Sequence, residues 1–219
     1  MDIKNYRGKE LTAYVLGVAM IIMHFEGIWS LNDVNVEMIQ FFSLIANLIL
    51  SASIMSIFVM IIDSIVSNQM KERLVFWRQN LPAMTVFTGI KDGKIVDNRF
   101  TKESVLRKYE TIYNKLDNMS NDDKKRKRYE NASWYQIYKK HKTEKMIEVS
   151  NRDYLLCRDL TSVNIMMMSV YLALSVALQI FKFKWKTIVF LILLYIILMI
   201  AARMKSKRFV LNVIAADVE

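Results

Sequence analysis

The chain has 219 residues, 53% of them hydrophobic, yet carries 31 Lys and Arg against 21 Asp and Glu, a net charge of +10. Apolar and charged residues fall in separate segments, and one proline and five glycines are too few breakers for a sheet-rich fold, so long helices are expected. Cys157 is the single cysteine, which excludes an internal disulfide and argues against a disulfide-stapled secreted protein.

Four runs have the length and polarity to cross ~30 Å of hydrocarbon, which takes about 20 apolar residues. The first, residues 11–31, continues through His24 and Glu26 with no Ala-x-Ala site, so it reads as a span and not as a cleaved signal peptide. The second, residues 39–66, is long enough to span with tilt. The third covers residues 160–181, and the fourth, residues 187–202, is the shortest and most hydrophobic. Lys and Arg in the flanks set the orientation. The N-terminal segment (Lys4, Arg7, Lys9), the central segment and the C-terminal tail (Arg203, Lys205, Lys207, Arg208) are basic, whereas the first hairpin loop has only Asp33 and Glu37. A multi-pass protein of a bacterial inner membrane with both termini cytoplasmic is expected. Lys182, Lys184 and Lys186 resist this scheme; either they snorkel to headgroups beside Phe181, Phe183 and Trp185, or the last two runs form a hairpin that does not fully cross.

Residues 68–159 hold twenty-one Lys and Arg against thirteen Asp and Glu, a net of +8. The second span is expected to continue through residues 68–78 and to stop at Leu81-Pro82. Residues 84–100 read as a small β-hairpin turning at Asp92-Gly93. Thr101 can cap a helix whose apolar residues Val105, Leu106, Tyr109, Ile112, Tyr113 and Leu116 keep helical spacing. Then come five consecutive cations, Lys124, Lys125, Arg126, Lys127 and Arg128, followed by Tyr129, Trp134, Tyr135, Tyr138 and Lys139. Cations neutralise phosphates and aromatic rings stack on bases, so a phosphate-bearing ligand is one reading. Anionic lipid headgroups, or a plain solvated face with Trp134 and Tyr138 in a core, are the others. From about residue 143 to 181 the apolar stripe is continuous enough for one rod of ~58 Å, with Arg152 and Arg158 where the membrane begins and Asp153 and Asp159 beside them.

Ionisable groups inside spans are functional suspects. Glu26 lies near the outer end of the first span and Asp63 near the inner end of the second, which also bears Ser43, Asn47 and Ser51 at a spacing of four. These polar groups serve either as interhelical glue or as a wetted path. Four packed helices leave no continuous water path, so conduction would need several copies, with Glu26 and Asp63 as outer and inner rings of charge. No P-loop, GxGxxG, HExxH, paired CxxC or GxSxG motif occurs, so neither an enzyme nor a metal or organic cofactor is expected.

Arg78-x-x-Leu81-Pro82, Trp134-Tyr135-x-x-Tyr138 and Asn151-Arg152-x-Tyr154-Leu155-Leu156-x-Arg158-Asp159, set among four spans, resemble the Hailong-type membrane effectors of nucleotide-signal anti-phage systems. The resemblance implies a homo-oligomeric channel, a tetramer being favoured, whose cytosolic part binds a nucleotide or single-stranded DNA signal that holds it shut. The expected fold is therefore an all-α membrane protein of four transmembrane helices, with a mostly helical basic domain inserted between the second and third. The competing expectation is a non-conducting membrane-anchored scaffold whose basic face binds lipid or a partner protein.

Overall fold

The computed structural model describes residues 3–27, 57, 61, 64–119, 122–179 and 182–218, with side chains from residue 8 onward. Among these the fold is all-helical, without a strand. Its helices are α1 (Ile3–Glu26), α2 (Asn68–Phe76), α3 (Val86–Lys91), α4 (Lys102–Lys108), α5 (Glu110–Asn118), α6 (Asp123–His141), α7 (Lys145–Leu172) and α8 (Trp185–Val218). A π-turn at Ala173–Ala177 prolongs α7. Three described helices are long and apolar enough to cross a membrane, Gly8–Glu26, Lys145–Ala177 and Trp185–Val218. They fit a membrane protein. Most of the expected second span, including Ser43, Asn47, Ser51 and Asp63, lies outside the described residues.

The chain divides into two compact units, residues 1–75 with 156–202, and residues 76–155 with 203–219. In the first, α1 packs on α7 and α8 through Leu11, Val15 and Val163, and through Val18, Tyr171, Ile188 and Leu191. Ile192, Leu193, Ile196, Ile197 and Ile200 on α8 stay exposed, as residues facing lipid must. A buried polar node ties the three helices together. The Tyr14 hydroxyl donates to Asn164 Oδ1 at 2.6 Å, and Asn164 Nδ2 donates to the Leu191 carbonyl at 2.9 Å. The second span does not run on through residue 78. It is interrupted at Val66–Ser67, and Ser67 Oγ accepts from the Met70 amide to start α2 afresh.

The second unit corrects three expectations. First, residues 84–100 are not a hairpin: Val86–Lys91 is helical. Glu130 overrides the β-preference of Val86, Phe87 and Thr88 by accepting from the Phe87 and Thr88 amides, at 3.0 and 3.2 Å, and from the Thr88 hydroxyl. Asp92-Gly93 does turn the chain, but as a helix stop. Gly93 sits at φ 70° while the amides of Lys94 and Ile95 return to the Gly89 carbonyl. Second, the helix capped by Thr101 breaks at Tyr109 into α4 and α5, although the cap itself forms and Val105, Tyr109, Tyr113 and Leu116 are buried as spaced.

Third, the residues after Ala202, expected as a basic tail beyond the last span, continue α8 to Val218 and are the spine of the second unit. Phe209, Val210, Val213, Ile214 and Ala215 are buried. Trp134 donates its indole N–H to the Val210 carbonyl at 3.2 Å, stacks on Tyr138 and meets Phe209 edge-on at 5.3 Å. The expected rod forms over Lys145–Ala177, closing in the π-turn, and stops short of residue 181, with Gln179 at φ 52°.

Two outcomes test this packing. Trp134→Ala removes the ring that α8 rests on and should destabilise the second unit by about 3–5 kcal/mol, read as a lower Tm in detergent. Asn164→Leu leaves the Tyr14 hydroxyl without its acceptor and should cost ~1 kcal/mol, measured by unfolding in mixed micelles.

Candidate anion-binding groove

The five-cation run lies in the first turns of α6, where the positive end of the helix dipole opposes it. Acidic neighbours offset this: Asp122 caps the helix by accepting from the Lys125 amide at 2.9 Å. Asp122 also pairs with Lys125 at 3.4 Å, and Asp123 pairs with Arg126 and Lys127. Lys124, Lys125 and Arg128 face solvent. Tyr135 is 48% exposed with Lys139 Nζ 5.1 Å from its ring centroid, while Lys115 stands 6.0 Å from the half-buried Tyr129 ring. Trp134 is 7% exposed and belongs to the core, so its face is not open to a base. Arg152 pairs with Asp153 in the second unit. Arg158 belongs to the first unit, buried against Asp159 and Asn68, with Lys71 3.5 Å from Asp159. The structure therefore does not gather the proposed ligand residues into one site. They divide into a solvated face of α6, a core aromatic and two buried or half-buried ion pairs.

A different concavity does gather cations. A groove of about 500 Å³ runs between the start of α7 and the part of α8 beyond Ala202. Lys145, Lys205 and Arg208 line it, together with Asp153, Ser150, Asn212, Met146 and Val149. Lys205 donates to Asp153 at 2.8 Å. Lys145 and Arg208 are exposed and have no ion-pair partner among the described residues. Arg99, held by Asp97 at 2.7 Å, donates to Asn212 Oδ1 at 2.7 Å.

No family model, curated protein or solved structure matches this chain.

Of the proposed pore residues, only Glu26 is described, and it lies inside the bundle with its side chain 4% exposed. It accepts from the Tyr171 hydroxyl at 2.9 Å and from Thr187 Oγ1 at 3.1 Å. Lys184 Nζ is 3.8 Å away and also donates to the Phe25 carbonyl at 2.7 Å. The puzzling loop lysine is thus the counter-ion of the buried glutamate. The sequence pattern did not single out Tyr14, Asn164 or Glu130, and it gave no shared site to the groove residues Lys145, Lys205, Arg208 and Asp153. A lone Asn within an apolar run was the available signal for Asn164; the groove pairs residues more than fifty positions apart, which spacing does not reveal.

Beside the groove unit's C-terminal end, His141 Nδ1 meets Glu144 and its Nε2 meets Asp217 at 2.8 Å; Asp217 also accepts from the Tyr109 hydroxyl at 2.7 Å. The Glu144 and Asp217 carboxylates raise the imidazole above its ordinary value of 6.5. Burial likewise pushes the Glu130 carboxyl up, against the pull of the Thr88 hydroxyl and the two amides. A raised folded-state value means that the protonated form is favoured by folding. The His141 contribution is accordingly complete below about pH 6.5 and fades as pH rises through its folded value. The Tm of the protein should fall over that window, and His141→Gln should flatten the slope there.

Proposed function

We propose that the chain is a membrane effector of the bacterial inner membrane, with both termini cytoplasmic, in which several copies, four being favoured, form an ion path. A nucleotide or short single-stranded oligonucleotide at the basic cytosolic unit controls that path, and depolarisation is the output, as in anti-phage defence. One observation carries this reading. α7 and α8 each place basic, solvent-facing residues and a strongly apolar stretch on a single unbroken helix, so an anion bound at one end acts on helices that also cross the bilayer. A ligand shifts conduction only by its different affinity for the open and closed states, and two shared helices supply a route for that difference. The same likeness to nucleotide-signal effectors that the motifs suggest supports the signal's class.

Two measurements test it. Expression should collapse the membrane potential reported by a voltage-sensitive dye, and purified protein in liposomes should pass ions in an amount changed at least several-fold by a nucleotide signal. A normal potential in cells and tight liposomes under every ligand condition would leave the non-conducting scaffold.

A further inference from the structure

We infer that the groove between α7 and α8 is a receptor for a terminal phosphate monoester attached to an apolar or aromatic group, and that Asp153 competes with this phosphate for Lys205. This deepens the proposed function, on whose sensing of an anion it rests. It assigns that sensing away from the polybasic run of α6.

The charge argument comes first. Exposed lysines on a helix are ordinarily solvated and hold nothing. In the groove, however, Lys145, Lys205 and Arg208 converge on one concave surface with Asp153 as the only carboxylate lining it. The lining thus carries a net of two positive charges, matching a monoester near −2 at neutral pH better than a diester or carboxylate at −1. On α6, by contrast, Asp122 and Asp123 already pair with Lys125, Arg126 and Lys127. Hydrogen-bond polarity agrees. Arg99 occupies Asn212 Oδ1, so the amide of Asn212 has its NH2 left to donate, which suits an acceptor-rich phosphate. Arg208 supplies the planar fork that binds phosphate oxygens in pairs, and Lys145 a point charge.

The floor decides what else the ligand carries. Met146 is 46% and Val149 38% exposed, apolar side chains in a charged groove. An inorganic anion would leave them wet; a base or an acyl chain beside the phosphate would cover them. A nucleoside 5′-monophosphate end and a phosphatidic acid headgroup share this chemistry. Asp153 holds Lys205 at 2.8 Å across the groove. Phosphate entry draws Lys205 from Asp153, so the carboxylate sets the threshold for binding.

The experiment uses the full chain in phosphatidylcholine nanodiscs and isothermal titration calorimetry. The probes are thymidine 5′-monophosphate against thymidine, and nanodiscs doped with phosphatidic acid against phosphatidylglycerol. The monoester of each pair should bind better. Lys145→Gln and Arg208→Gln, both at exposed positions, should each weaken binding about tenfold, the loss of one charge-assisted contact. Asp153→Asn should tighten it a few-fold by freeing Lys205. A triple Lys124→Gln, Lys125→Gln, Arg128→Gln variant should bind as wild type. Binding of the nucleotide alone or of the lipid alone supports the site and names its source. Affinity unmoved by the groove variants, lost in the α6 triple variant, or weakened by Asp153→Asn overturns it. Conductance is scored separately. Intact groove binding without any ligand effect on conductance removes the gating reading and leaves the site, while gating that survives the groove variants removes the site and leaves the gating.

Discussion

The structure depends on one constraint: α8 does not end where its apolar span ends. Had residues 203–218 been a solvated tail, Phe209, Val210, Val213 and Ile214 would stand in water, at a cost of roughly 1.5–3 kcal/mol each relative to burial. They are instead the element around which the second unit is assembled. Trp134, Tyr138 and Tyr154 close on Phe209, and Arg99 and His141 reach Asn212 and Asp217 farther along. The basic segment buries its own apolar residues, Val86, Phe87, Ile90, Val105 and Leu116 among them, and adds to them a strip from a helix whose other part is long and apolar enough to cross a membrane.

This dependence explains what was legible in the sequence. Helices with their own complete signal were read well: the Thr101 cap, the spacing of Val105, Tyr109, Tyr113 and Leu116, and the continuity of α7 all follow from near neighbours. What was misread needed a distant partner. Residues 86–91 are β-prone by composition, and only Glu130, forty-odd positions later, makes them a helix by taking up their first amides. Trp134 beside a cation run left base stacking and a place in a core both open, and it is Val210 and Phe209, more than seventy positions away, that put it in a core. Local patterns report secondary structure; they say little about which aromatic of a mixed face turns inward.

The groove repeats the lesson for function. A run of five cations draws the eye, yet consecutive residues on a helix point in all directions, and acidic neighbours at i+3 and i+4 spacing claim several of them. Lys145, Lys205 and Arg208 are inconspicuous in the sequence because they are far apart, and a site is built by convergence. Net charge marks out the second unit, but it does not say which of its cations share a concave surface.

In the first unit, the polar groups of the bundle are satisfied by one another. Tyr14, Asn164 and the Leu191 carbonyl form one node, and about two turns farther along α7, Tyr171 joins Glu26, Thr187 and Lys184 in a second. Each node joins α1, α7 and α8, so sliding any of the three would strand a buried polar group in hydrocarbon, where it finds no water to replace its partner. These contacts fix helix register, and they leave Glu26 turned into the bundle as the partner of Lys184. A wet path through the centre of these three helices would have to dismantle both nodes.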